Sequence, residues 1–586
     1  MALGQTPVGP ALTVNTASSR HAISPDIYGV NNYSNNKSLW NTLNLAVPVQ
    51  RWGGDNTSNY NWLVDASNAG SDNFFIGGTG TLPQNVVPGQ QVDSWITFAV
   101  SKNAKSVVTV PVTGWVNKYS QTNCSYPKSL YPIQDSFSST KDFLENSPCG
   151  KGTNGVDGDG NTIYLTDVNV ARNYLAADPT WMADWYNHLK TKYGNASTVG
   201  LIYQIDNEPE SWPVIHTDVH PDNPAYDELV NLTYSYGGMA KTIDPTAKVM
   251  GPTPCCVWAE WGLNTANIGA DGIVSPFPAP YNMPFYQYYL TQMKAYETQY
   301  GYRLLDYFDI HFYPEVDGQY PPFASFNIAN STSNDIGSQA ARLRTTRTLW
   351  DPTYISEDWM GQYFPTTYGT PMLIRNMRSW VNQYYPGTKT SITEYNWGGS
   401  SSSGINGALA QADVLGIFGR EGLDLATMWG PPSSSSPIAY AFKMYLNYDG
   451  SGSRFGDVSV ASGSANQNVL SIYAAQRTSD TALTLMVINK SVTLSTPPYT
   501  TTGAVDLSTT ITIENFTPGS VSAQVWQLLS SNAKSVVHQP NQPLTAVAGA
   551  TPHALPNYTV TMTFPANSIT LLVVPGTHSP GTPGGH

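Results

Sequence analysis

Apolar runs of roughly five to seven residues, each closed by a polar or aromatic tip, recur along the first three quarters of the chain. The runs fall at residues 27–30, 47–54, 106–112, 201–205, 248–252, 307–314, 390–395 and 425–430. Between them lie segments with helical periodicity, such as 180–193, which stops at Gly194 as a helix C-terminus should. Buried strands alternating with helices predict an α/β fold, a closed (β/α)8 TIM-like barrel over residues 22–436, with an open doubly wound sheet as the alternative. The stretches 114–170 and 314–375 are too long for plain connectors and are expected to build a cleft.

After about residue 437 the period changes to two. Short alternating strands at 483–490, 510–513, 521–528 and 558–564, separated by Ser, Thr, Pro and Asn, predict an all-β sandwich over 437–576. Residues 11–16 alternate in the same way and find no place among the eight barrel strands. The segment 1–21 is therefore expected to add a strand to the sandwich, while 577–586 reads as a linker-like tail.

Composition narrows the partners. Only 12% of the 586 residues are charged and the formal net charge is -13, which argues against a nucleic-acid footprint of clustered Lys and Arg. No apolar run reaches the roughly 18 residues a membrane span needs. The chain carries 16 Trp and 36 Tyr, more than cores require, and such rings are natural platforms for sugars. Neutral polyol substrates fit this surface best. Of the four cysteines, Cys124 and Cys149 could close a disulfide across an Asn- and Pro-rich insert, and Cys255 and Cys256 are expected to be buried or to end a strand.

The fourth apolar run breaks off at Asp206-Asn207-Glu208-Pro209, and Pro209 cannot continue a strand ladder. Glu208 thus sits either at a strand tip, where a barrel places catalytic acids, or at a helix N-terminus in which Asp206 or Asn207 caps and Glu208 meets the helix dipole. Glu394 ends the seventh run in the same manner. Strands four and seven of an eight-stranded barrel face each other, so the two carboxylates can flank one bond, as glycoside hydrolysis requires.

Ile205-Asp-Asn-Glu-Pro-Glu-Ser-Trp, His216-Thr-Asp-Val-His-Pro, Asp309-Ile-His-Phe-Tyr-Pro-Glu, Arg347-Thr-Leu-Trp-Asp-Pro-Thr-Tyr and Thr393-Glu-Tyr-Asn-Trp-Gly-Gly occur in this order. Together with Val49-Gln-Arg-Trp-Gly-Gly-Asp and Tyr448-Asp-Gly they resemble glycoside hydrolase family 44 across nearly the whole chain. That resemblance implies a TIM-like barrel with a β-sandwich and a secreted, retaining, endo-acting hydrolase of β-1,4-glucans, including cellulose derivatives and xyloglucan. It also implies Glu208 as general acid/base and Glu394 as nucleophile. The same machinery aimed at mannan or xylan, and a non-catalytic carbohydrate-binding barrel, are the rival readings. The chain is expected to work as a monomer on a β-glucan polysaccharide.

Several neighbours complete the expectation. Asn207 is placed to bond a sugar 2-hydroxyl, and Arg51 and Tyr313 to hold Glu394. Trp52, Trp115, Trp397 and Trp429 fall at strand tips as candidate sugar platforms, with Tyr395 and His311 as supporting groups. The spacing of His216, His220 and His311 matches no zinc hydrolase, and a two-glutamate mechanism needs no catalytic cofactor. Asp157-Gly-Asp159-Gly-Asn opens like a calcium loop, but Val168 stands where the bidentate Glu belongs, so a Gly-rich turn is the favoured reading. The family resemblance implies a structural calcium ion near the loops leading to strand four, with Asp178 a further ligand.

Overall fold

A computed structural model describes residues 6–577 apart from 33–35, 136–147, 159, 161, 256–258, 260–279, 317–325, 329–334, 364, 367–368, 399–403, 495–500 and 548–555. Eight parallel strands close into a barrel: Gly29–Asn31, Val49–Trp52, Lys105–Val110, Leu201–Ile205, Lys248–Pro252, Tyr307–Phe312, Lys389–Tyr395 and Leu425–Met428. They are called strands one to eight below. Every run singled out by its apolar pattern is represented. The first strand starts two residues later than expected, because Pro25 and the capping side chain of Ser24 form a 3-10 turn over Pro25–Tyr28.

The two-residue period of a strand sorts side chains between the two faces. Tyr203, Ile205, Phe308 and Ile310 point outward into the apolar layer beneath the helices. Val49, Val107, Ile202, Met250, Tyr307 and Leu425 point inward and form an apolar floor. Two residues further along five of these strands, the inward layer turns polar. Arg51, Thr109, Gln204, Asp309 and Thr427 are all fully buried there. This second layer carries the site.

The sandwich also uses both faces of a strand. Two sheets run through a common strand, Val458–Ser464, which pairs with Leu470–Gln476 in one and with Leu12–Asn15 in the other. Leu12–Asn15 lies between that strand and Leu507–Glu514, antiparallel to the first and parallel to the second. In Leu483–Asn489, Leu483, Leu485 and Val487 face the opposite sheet, whereas Met486 and Ile488 face the barrel. Asp413, on the barrel helix Gly404–Glu421, pairs with Lys490 at 2.7 Å, both side chains 1% exposed. Burying two charges this completely is tolerable only because Ser471, Tyr473 and Thr346 also donate to Asp413.

The expected domain boundary at 436/437 needs correction. Residues 437–446 form the eighth barrel helix, Pro437–Leu446, capped by Ser436. It is apolar on almost every side, since it packs between the helix Gly404–Glu421 and the sandwich, so it shows little helical period in sequence. No helix among the described residues is long and apolar enough to cross a membrane.

Candidate active site

Strand four ends at Ile205, and the next three residues turn sharply. Asp206 and Glu208 both adopt left-handed backbone, with φ of 58° and 44°. Such conformations cost non-glycine residues energy and persist where surrounding bonds fix them. Asp206 supplies those bonds, its carboxylate accepting from Ser58 Oγ at 2.5 Å, Val112 N at 2.7 Å and Asn207 N at 2.8 Å. Glu208 N donates to Thr253 O at 2.9 Å. Glu208 is the residue before the short 3-10 turn Pro209–Ser211 and makes no side-chain cap bond, while the Asp206 carboxylate accepts from Ser58, Val112 and Asn207 and the Asn207 amide is engaged by Arg51 and Asp55, so neither residue caps the turn.

Strand seven delivers Glu394 by a different device. Ile310 pairs with Ile392, but His311 pairs with Glu394, so strand seven carries one extra residue at Thr393. A bulge of this kind lets two consecutive side chains share a face. Thr393 and Glu394 both point into the barrel, and Tyr395 is turned outward.

Arg51, fully buried, connects the pieces. Its Nη1 donates to Glu394 Oε1 at 2.5 Å and Asn31 Oδ1 at 3.0 Å, its Nη2 to Asn207 Oδ1 at 2.6 Å and its Nε to Gln204 Oε1 at 2.6 Å. Tyr313 Oη donates to Glu394 Oε2 at 2.6 Å. Both oxygens of Glu394 are therefore acceptors. Asn207 has its oxygen on Arg51 and spends one amide hydrogen on Asp55 at 2.8 Å, which leaves one for a substrate hydroxyl.

Glu208 sits in another environment. Burial pushes its carboxyl up to about 7, moderated by Arg51 and reinforced by Asp72. Burial likewise drives His311 down to about 3, so its ring is neutral. His311 Nδ1 lies 2.8 Å from Glu208 Oε1. Glu208, His311 and Glu394 offer one oxygen or nitrogen each within 4.8 Å of one another, a separation at which two carboxylates can address the same glycosidic bond.

The structure thus brings together Arg51, Asn207, Glu208, His311, Tyr313 and Glu394. Other expected site residues are corrected. Trp52 is 6% exposed and packs edge-on against Tyr60 and Trp185. Trp397 is 2% exposed, packs on Phe312 and donates to Thr345 Oγ1 at 3.2 Å. Tyr395 is fully buried and accepts from Gln411 Nε2 at 3.0 Å. All three belong to the core, because the strand alternation turns them away from the barrel mouth. Trp115 and Trp429 are half-buried. Trp429 lies over Gly54, whose φ of 101° and lack of a Cβ leave room for the indole.

Asp178 caps the helix Pro179–Tyr193 through Trp181 N, Asp157 is exposed, and Asp159 lies outside the described residues. Cys124 and Cys149 are joined by a disulfide. Cys255 is also disulfide-bonded, and its backbone N donates to Glu210 beside the acid loop. Asp55, Gln204 and Thr393 were missed by the pattern of strand tips. The lone polar residue in Leu201-Ile-Tyr-Gln-Ile was the available signal for Gln204.

The family model described as glycoside hydrolase family 44 matches residues 66–316. CelM2, a bifunctional glucanase-xylanase from a metagenome library, superposes with a TM-score of 0.82 at 35% identity, covering 98% of this chain and 100% of that one. The chain belongs to glycoside hydrolase family 44. A xyloglucanase of this family from Paenibacillus polymyxa, solved with xyloglucan, gives a TM-score of 0.71 at 26% identity over 97% of this chain and all of its own. Endoglucanase A of Paenibacillus lautus is 32% identical over 494 residues, which is 82% of this chain and 63% of that protein. The chain thus spans less than two thirds of that curated relative. Family 44 membership agrees with the barrel, the sandwich and two opposed glutamates.

Proposed function

We propose that the protein is an endo-acting β-1,4-glucanase that cleaves internal bonds of cellulose-type glucans and xyloglucan with retention of configuration. The observation that carries this is the pairing of two unlike carboxyl groups across the barrel mouth. Oxygens of Glu208 and Glu394 approach within 4.8 Å, which supports double displacement over inversion, where the groups stand about 6.5–9.5 Å apart. Glu394, held by Arg51 and Tyr313, attacks the anomeric carbon. Glu208 protonates the departing oxygen and then takes a proton from the incoming water. Asn207 steadies the sugar 2-hydroxyl, and Trp429 offers a ring face.

The names of relatives support a glucan backbone: one is an endoglucanase, one a xyloglucanase and one a glucanase-xylanase. The Cys124–Cys149 disulfide suits an oxidising, extracellular setting. Reducing-sugar release from carboxymethyl-cellulose, xyloglucan, xylan and mannan tests the substrate, and NMR of the first-formed anomer tests retention. Release from mannan alone, or an α-anomer formed first, overturns the reading.

A further inference from the structure

A guanidinium has donors only, so the direction of each hydrogen bond around strand four can be followed outward from Arg51. Arg51 Nε at 2.6 Å and Thr109 Oγ1 at 3.1 Å both donate to Gln204 Oε1. The Gln204 amide nitrogen must then face the other way. It donates to Asp309 Oδ2 at 2.8 Å and to Thr393 Oγ1 at 2.7 Å. The single hydroxyl hydrogen of Thr393 goes to Asp309 Oδ2 at 2.6 Å. What Thr393 has left is a lone pair, and it faces His311 Nε2 at 3.2 Å.

His311 Nε2 therefore brings the hydrogen. Because the ring is neutral, Nδ1 is bare, and it lies 2.8 Å from Glu208 Oε1. Two lone pairs at that distance repel. A proton on Glu208 converts the contact into a hydrogen bond.

We propose that His311 is a positioning residue that presets Glu208 in its protonated form, its tautomer being dictated by the Arg51, Gln204, Thr393 and Asp309 relay. The proposal rests on Glu208 being the acid/base. In the first step the Glu208 proton passes to the glycosidic oxygen as that C–O bond breaks and the bond to Glu394 forms. Bare Nδ1 then faces a carboxylate, and this repulsion favours return of a proton from water as water displaces Glu394. The other charged or titratable groups facing Glu208 are Arg51, Asp55, Asp72, Glu210, Tyr313 and Glu394. None of them has the tautomeric choice that His311 has.

Thr393→Val removes the acceptor and frees His311 to carry its hydrogen on Nδ1, where it would donate to the Glu208 carboxylate. The basic limb of kcat/KM on unactivated glucan should move down by about one pH unit or more, with the acidic limb in place. Thr393→Ser should keep the wild-type profile. Independently of turnover, 15N spectra of the histidine-labelled wild-type enzyme should show His311, identified by its loss in His311→Gln, protonated at Nε2. An Nδ1-protonated His311 in the wild type, or a folded Thr393→Val with an unmoved basic limb, overturns the proposal. If Thr393→Val does not fold, the wild-type tautomer decides alone. Glu208→Gln separates the two claims: it should slow poor leaving groups far more than activated aryl glycosides, and equal losses would defeat the acid assignment while leaving the tautomer result standing.

Discussion

Arg51 and Glu394 form an ion pair at 2.5 Å with side chains 0% and 6% exposed, and the same guanidinium holds Asn207 and Gln204. One cation therefore aligns Glu394, the amide beside Glu208 and the relay behind it. Arg51→Met strands all of these acceptors in the barrel, and loss of one partner of a buried pair costs about 3–5 kcal/mol. Arg51→Lys keeps the charge but offers a point donor in place of a planar fork. A folded Arg51→Lys is expected to lose roughly 100-fold or more in kcat, comparable to removing a preorganised donor. Wild-type kcat in that variant, measured on carboxymethyl-cellulose, would remove the guanidinium from the account.

Glu394→Ala should abolish turnover and regain part of it with azide. The product should be a glycosyl azide of inverted configuration, because azide enters the vacated space on the nucleophile's side of the ring. An azide product of retained configuration, read by NMR, would make Glu394 the acid/base instead.

Glu208 also predicts a pH-dependent stability. With its carboxyl at about 7 in the fold against the ordinary glutamate value of 4.5, the native state holds a proton that the unfolded chain has released across that window. Stability from this group is therefore present below about pH 4.5 and is lost as pH rises through about 7. Glu208→Gln is permanently neutral and escapes the loss. Its melting temperature should match the wild type near pH 4 and exceed it at pH 7.5, by an amount worth roughly 3 kcal/mol. A difference that stays constant with pH would contradict the raised carboxyl.

Trp397 and Trp429, which both follow barrel strands in sequence, should separate cleanly. Trp397→Ala empties a core position and should cost about 3–5 kcal/mol in denaturant unfolding. Trp429→Ala, at a half-buried ring, should leave stability near wild type while raising KM for glucan. The reverse pattern would exchange their roles.

The architecture was legible because eight apolar runs, each buried on both faces, leave a distinctive trace, and the pair of acids was legible because each closes such a run. The orientation of individual side chains was not. Tyr395 follows Glu394 in sequence yet faces the opposite side of the sheet, because the bulge at Thr393 resets the alternation and no residue type announces a bulge. Trp52 and Trp397 sit at strand ends, but the side they face depends on strand register, which is a property of partner strands far away in the chain. Gln204 and Thr393 look like incidental polar residues until Arg51, remote in sequence, gives them a direction. The helix Pro437–Leu446 was hidden for the opposite reason: covered on all sides, it had no polar face to set a period.

Leu12–Asn15 lies between Val458–Ser464 and Leu507–Glu514, so this strand, which precedes the barrel in sequence, has no partner until the barrel strands have all followed it. The barrel strands can close before that segment is engaged, first by Val458–Ser464 and then by Leu507–Glu514. Contacts of such long range are slow to form. A strand that precedes the whole barrel in sequence is thus among the last elements to find its place, and the sandwich ties together segments that lie on either side of the barrel in the chain.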